Sequence, residues 1–474
     1  MTEPRRIHFV SLGCPKNRVD TEVMLGIAEK AGFAQVEAAE DAEVIVVNTC
    51  GFIEAAKQES IDTILELAQL KQHGSCERLV VTGCLSQRYP QELAEGLPEV
   101  DHFLGSSDMP KLERVLAGGA QRDLVGNPAD WVVSSSDPRR LSTRGRSAYV
   151  KLAEGCNRSC SFCVIPGLRG KQRSRSEDDI VAEVERLTDA GVLEINLVSQ
   201  DTVSYGRDLG QKGALARVVR RIADVPGVRW LRLFYLYPEN LGDELIELLA
   251  DHPSVVPYVD MPLQHAAEGM LQRMRRGGYA GKKLRDLVEL LRTRVPDLTF
   301  RTAFIVGHPG ETEAEFNELC DFVRWAEFER VGVFRYSDEP TSHSFGFEAK
   351  VAERTIASRA KKVLAIQQRI SQKKNQAMIG RELEVLVEGP SEDSELVMMG
   401  RHAGQAPEID GCVYLSGGPV LPGELRKATI TQASEYDLVG EVPEDGVPLE
   451  SARPTGPAAL VHKSSDGRRV LRTV

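Results

Sequence analysis

Ala148-Tyr149-Val150-Lys151-Leu152-Ala153-Glu154-Gly155-Cys156-Asn157-Arg158-Ser159-Cys160-Ser161-Phe162-Cys163 is the stretch that decides how this chain is read. It opens as a short strand and runs directly into three cysteines spaced C-x3-C-x2-C. Strand patterns then recur about every 30 residues, over 194–199, 230–235, 258–261, 299–306 and 330–336. Amphipathic helical patterns such as 178–190 and 282–294 lie between them. Six consecutive βα units predict a parallel sheet curled into a partial or complete barrel; eight would close a TIM barrel. In such folds the chemistry sits at the carboxyl ends of the strands, where these cysteines fall.

Thiolates are the usual ligands of iron–sulfur clusters. A closed structural zinc site asks for four ligands, and no fourth cysteine stands near this trio. Three ligands on a four-iron cluster leave one iron open, and the amino and carboxylate groups of S-adenosylmethionine suit that position. One electron can then cleave the sulfonium to methionine and a 5′-deoxyadenosyl radical. Cys156, Cys160 and Cys163 are the expected cluster ligands and catalytic residues; the competing readings are unrelated thiols or an incomplete zinc knuckle.

Upstream, strand patterns over 8–12, 44–47 and 79–82 alternate with helical patterns over 20–31, 54–70 and 90–96. Nearly continuous β-branched runs joined by helices predict an α/β domain with a parallel sheet buried on both faces. Cys14, Cys50 and Cys84 each follow one of these strands. Loops at carboxyl strand ends converge in one crevice, so the three can share a site despite their wide spacing. Gly13, Gly51 and Gly83 beside them would let a bulky group approach the backbone. This set points to a second cluster with an open iron; the alternative is three small buried hydrophobes. Cys76, Cys320 and Cys412 read as structural.

Residues 131–147 read as a linker and 350–376 as a Lys/Arg-rich helix. Short glycine-rich strands over 378–440 predict a small all-β barrel, and the Pro/Ser/Arg-rich segment from 442 a disordered tail. The expected partition is 1–130, 131–147, 148–340, 341–376, 377–441 and 442–474. The chain has 474 residues and a formal net charge of −11. That balance disfavours a general polyanion binder or a membrane-surface protein. No apolar run approaches membrane-spanning length and no secretory signal is visible. Nine cysteines, an odd and sparse number, argue for a reducing cytoplasm rather than a disulfide framework.

The C-x3-C-x2-C motif with Phe162 before its last cysteine resembles the radical S-adenosylmethionine superfamily. Together with Cys14, Cys50 and Cys84 and the terminal barrel, which is similar to a TRAM domain, it resembles the methylthiotransferases from residue 5 to about 440. The resemblance implies insertion of sulfur into an unactivated C–H bond, two [4Fe–4S] clusters and two molecules of S-adenosylmethionine per turnover. One molecule donates a methyl group and the other supplies the radical; an external electron donor and a sulfur donor are also implied. An aliphatic hydrogen has no useful acidity, so cofactor chemistry is required. Phe162, Ser199, Gln200, Gly307 and Gly310 are the expected S-adenosylmethionine contacts; Thr312 reads equally as a helix cap and His265 as a packing residue.

Two branches of that family differ in substrate: an aspartate of small-subunit ribosomal protein twelve, or an adenosine of transfer RNA. Ser11-Leu12-Gly13-Cys14-Pro15-Lys16-Asn17 looks like the ribosomal-protein branch, since the transfer-RNA branch usually reads Gly-Cys-Gln-Met-Asn there. Residues 378–440 hold four Lys or Arg against eleven Asp or Glu. RNA affinity rests largely on cations meeting phosphates. An anionic barrel is instead a plausible dock for a basic ribosomal protein, or merely a solvated acidic face. The leading expectation is a monomeric enzyme that methylthiolates the aspartate β-carbon. The transfer-RNA enzyme is the runner-up, and a non-catalytic ribosome-associated iron–sulfur sensor or electron carrier is a third reading.

Overall fold

A computed structural model of the chain describes residues 4–143, 145–391 and 394–451. The tail expected from 442 falls mostly outside the described residues. The first sheet contains β1 (Arg6–Ser11), β2 (Ala34–Gln35), β3 (Val44–Thr49), β4 (Arg78–Gly83) and β5 (His102–Phe103). Its order is β2-β1-β3-β4-β5, all parallel. All six residues of β3 are buried, as a central strand covered on both faces requires.

The second sheet contains β6 (Ser147–Lys151), β9 (Glu194–Val198), β10 (Trp230–Leu233), β11 (Val255–Asp260), β12 (Thr299–Val306) and β13 (Arg330–Arg335). It runs β6-β9-β10-β11-β12-β13, all parallel, and is the partial six-stranded barrel anticipated from the βα repeat. A two-stranded ribbon, β7 (Ala153–Glu154) with β8 (Arg173–Ser174), brackets the C-x3-C-x2-C loop. The strand expected from 258 begins at Val255 and includes Pro257. Proline has no N–H for the ladder, and β11 pairs with β10 through a register irregularity at this point.

The last sheet closes on itself as β14 (Glu382–Pro390), β15 (Met398–His402), β16 (Val413–Gly417), β18 (Leu438–Val442) and β17 (Leu425–Ala433). The basic helix expected over 350–376 is Glu353–Gln376. It packs on β13, and several of its cations face acidic partners, as in Arg359–Glu311 (2.6 Å) and Lys373–Glu327 (2.8 Å). Among the described residues, three of its seven cations, Arg359, Lys373 and Lys374, pair with carboxylates within the molecule.

One helix differs most from expectation. The pattern over 20–31 is a helix from Pro15 to Lys30, starting directly after Cys14. Pro15 fits the first turn, where no N–H is needed. Thirteen of its sixteen residues are buried, so no polar face marks its period. It lies against β6 on the open side of the barrel. One apolar cluster joins Val19, Val23 and Met24 of this helix to Tyr149, Phe234 and Tyr258 of the barrel and Ala406 of the terminal domain. The loop 403–410 reaches the same face. Arg232 donates to the Ala403 carbonyl (2.9 Å), Tyr149 to the Pro407 carbonyl (3.2 Å) and Tyr258 to Asp410 (2.7 Å). The segment 131–147, read as a linker, carries Arg139 into buried pairs with Glu22 (2.6 Å) and Glu183.

Candidate active site

The parallel register sets Ser11 beside Asn48, Asn48 beside Thr82 and Thr49 beside Gly83. The loops bearing Cys14, Cys50 and Cys84 therefore leave the sheet side by side. Asn17 ties two of them by donating to the Leu12 and Thr49 carbonyls, both at 3.0 Å. Asn48 donates to the Asn17 carbonyl (2.8 Å), and Ser60 braces the backbone of Cys50. The glycines are structural requirements. A Cβ at Gly13 would stand 2.9 Å from Cβ of Cys50, and one at Gly83, where φ is +101°, 2.4 Å from Asn48 Oδ1. The structure thus brings together three cysteines separated by more than thirty positions each.

The second trio is held by one loop. Gly155, at φ +82°, lets the chain turn against Lys171, and the Cys156 N–H donates to the Gly170 carbonyl (3.1 Å). The Ser161 N–H donates to the Met274 carbonyl, and its hydroxyl meets His308 Nε2 at 2.9 Å. Phe162 anchors the loop among Ala267, Met270, Met274, Ile305 and Tyr336. Tyr237 OH lies 3.3 Å from Cys160 Sγ, and its ring is sandwiched by Arg158 and Arg276 at 3.7 and 3.6 Å.

The two trios adjoin. Cys84 packs against Val164 and Leu168, just after Cys163. From the short helix Ile165–Arg169, Arg169 donates from Nε to Cys84 Sγ (3.3 Å), pairs with Asp20 (2.8 Å) and bonds Asn17. Lys151 joins Asp20 (2.5 Å) to Glu154 (2.6 Å), which accepts from Gln200. Neither Arg169, Arg276, Tyr237 nor this Asp20–Lys151–Glu154 chain was singled out from sequence. The nearness of Arg169 to Cys163 in the chain was the one available signal.

Burial pushes the thiols of Cys50 and Cys163 up to about 12 and that of Cys156 to about 11, with neighbouring thiols adding to each shift. Cys84 is also raised by burial, against the opposing pull of Arg169. Unligated, these thiols hold their protons at neutral pH, so metal capture releases them. Each place offers three free cysteine sulfurs, the donor type that iron–sulfur clusters take.

The other expected contacts divide. Ser199 is buried and meets Thr202 Oγ1 at 3.1 Å. Gln200 Oε1, Asp201 Oδ1 and Arg158 Nη2 are buried without a hydrogen-bond partner among the described residues, open valences beside the Cys156 loop. Gly307 and Gly310 both have positive φ. A Cβ at Gly307 would strike Ile356 at 2.4 Å, so helix packing already accounts for that glycine. Thr312 forms a capping box with Glu315, and buried His265 meets Glu311 at 3.1 Å. Cys76 and Cys320 are buried in apolar clusters, while buried Cys412 donates from both its N–H (2.9 Å) and its Sγ (3.5 Å) to Asp437 Oδ1 in the terminal barrel.

Three family models match the chain. They are the uncharacterized protein family UPF0004 over 6–105, the radical SAM superfamily over 150–323 and the TRAM domain over 379–442. The ribosomal protein uS12 methylthiotransferase RimO of Sorangium cellulosum is 68% identical over 478 residues, covering 99% of this chain and 97% of that protein. The protein of the same name from Myxococcus xanthus is 48% identical, with 97% of each covered. Among solved structures, the radical S-adenosylmethionine methyltransferase TsrM of Kitasatospora setae shares the fold, with a TM-score of 0.52 and 18% identity over 70% of this chain and 73% of that one. With identity of this depth running almost end to end, the chain belongs to the RimO family of uS12 methylthiotransferases within the radical SAM superfamily.

Proposed function

We propose that this protein adds a methylthio group to the β-carbon of an aspartate in ribosomal protein uS12. In this reading Cys156, Cys160 and Cys163 hold one [4Fe–4S] cluster and Cys14, Cys50 and Cys84 a second. The carrying observation is the adjacency of the two trios, joined by the Arg169–Cys84 contact. The chemistry supplied is reductive cleavage of S-adenosylmethionine at the first trio and delivery of methylated sulfur at the second, with electrons and sulfur from external donors.

The protein's own groups set the stage for both. Tyr237 and Arg276 lie against Cys160 and place hydrogen-bond donors on the thiolate side, as outer-shell partners of cluster ligands do. Arg169 does the same for Cys84. The unpaired Gln200 Oε1 and Asp201 Oδ1 can accept from the ammonium and ribose hydroxyls of S-adenosylmethionine. A radical cannot select among C–H bonds by acidity, so positioning must choose the target. Burial of the polar layer between the trios keeps water from the reacting groups.

The terminal barrel favours a protein substrate over RNA. Of its four cations, Arg401 and Arg426 are buried, while Arg381 and Lys427 are paired with Asp297 and Glu382. Its surface is thus left anionic, a poor match for phosphates and a good one for a basic ribosomal protein. Anaerobic turnover with uS12 and transfer RNA, read by mass spectrometry, tests the reading. A methylthio increment on the uS12 aspartate supports it; modification of adenosine alone refutes it.

A further inference from the structure

We propose that Lys16 is the receptor for the side-chain carboxylate of the substrate aspartate, held over the ring of Tyr235 between the two cysteine trios. This rests on the substrate reading above and assigns the group that recognises it.

Lys16 is only 8% exposed, yet among the described residues no carboxylate lies within 4 Å of its ammonium. Its ammonium lies over the face of Tyr235, 3.4 Å from the ring centroid. A buried cation without a counter-charge is costly. The carboxylates around it are already engaged. Asp20 binds Lys151 and Arg169, Glu154 binds Lys151 and accepts from Gln200, and Asp260 binds Arg301 and the Tyr235 N–H. Of the four cations in this layer, Lys151, Arg169 and Arg301 each reach a carboxylate, Arg301 a second one at Asp410 (3.8 Å), and Lys16 alone of the four reaches none within 4 Å among the described residues.

The location is that of a substrate group. Lys16 stands two residues from Cys14, and Tyr235 lies just past the carboxyl end of β10, where barrel chemistry takes place. Tyr235 is held at φ +55°, a strained conformation for a bulky residue. Its N–H donates to Asp260 (2.9 Å) and its carbonyl accepts from the Thr202 N–H (3.2 Å), so the surrounding structure fixes the strain. A carboxylate anchored here fixes the adjoining β-carbon and distinguishes aspartate from asparagine, which would leave the ammonium uncompensated.

The test uses the reconstituted holoenzyme with S-adenosylmethionine and two forms of uS12, one with the native aspartate and one with asparagine in its place. Dissociation constants and initial rates are measured for both. The wild-type enzyme is expected to prefer the aspartate form at least tenfold. Lys16→Met and Lys16→Gln, at wild-type iron content, bring the ratio to within about twofold, while Lys16→Arg restores most of it. A wild-type ratio near one overturns the proposal whatever the variants do. So does a ratio unchanged in Lys16→Met or Lys16→Gln, the result expected if Lys16 only offsets the charge of a cluster ligand. Absence of any methylthio product on native uS12 would instead refute the substrate reading, and this inference with it.

Discussion

The two cysteine trios reach similar ends by opposite means. Cys156, Cys160 and Cys163 sit within one loop, so their geometry is set by local backbone: a left-handed glycine, a few N–H to carbonyl bonds and the Phe162 anchor. Cys14, Cys50 and Cys84 come from three strands, so theirs is set by parallel register and by Asn17 and Asn48 bridging the loops. A local motif can be carried by one loop, but a dispersed site depends on its whole sheet and on the neighbouring domain that supplies Arg169. The dispersed trio should therefore be more sensitive to distant changes.

The largest expected effect separates the two in function. Cys156→Ala, Cys160→Ala or Cys163→Ala should reduce 5′-deoxyadenosine formation at least a hundredfold, measured by chromatography after anaerobic turnover. Cys14→Ala, Cys50→Ala or Cys84→Ala should retain that cleavage and lose the methylthio product. Equal loss of cleavage in both sets would break the division.

Next comes Arg169→Gln, which removes the cation shared by Asp20 and Cys84. Breaking a buried pair on one side costs about 3–5 kcal/mol, so its melting temperature should fall by several degrees. Arg276→Gln, beside the local trio, should cost less, because Arg276 forms no carboxylate pair among the described residues and its ring contact is worth about 1–2 kcal/mol. Equal losses would contradict the view that the dispersed trio leans harder on its neighbour.

A pH effect probes the local trio. Burial lowers His308, the partner of Ser161, from 6.5 to about 4. The unfolded chain then takes up a proton that the folded protein refuses as pH falls below 6.5. Stability should drop between pH 6.5 and about 4, by about 3 kcal/mol at most, and be unaffected by His308 above 7. His308→Gln should flatten that part of the curve in denaturant titrations; an unchanged slope would contradict the assignment. The smallest effect is Tyr237→Phe, which loses one hydroxyl at Cys160, worth about 1 kcal/mol. Cleavage of S-adenosylmethionine should slow severalfold with the methylthio pathway intact.

The contrast also explains what sequence made legible. The C-x3-C-x2-C trio is visible because its cysteines are neighbours in the chain. The dispersed trio is visible because each cysteine follows a β-branched run, and strand ends of a parallel sheet converge. Arg169, Arg276 and Tyr237 are invisible because tertiary packing alone brings them to a sulfur. Lys16 lies inside a quoted motif, yet its burial became apparent only once the helix was seen to start at Pro15. That start is hidden because a helix covered on nearly all sides has no polar face to betray its period. Gly307, expected as a cofactor contact, carries a packing constraint that sequence did not reveal: a Cβ there would meet Ile356 at 2.4 Å.

The central claim is that each trio holds its own cluster. Iron and sulfide analysis with Mössbauer spectroscopy on anaerobically reconstituted protein tests it directly. The account expects about eight irons in the wild type and about four in each protein with one trio changed to alanine, all as [4Fe–4S]. Four irons in the wild type, or eight remaining after either trio is removed, would contradict it.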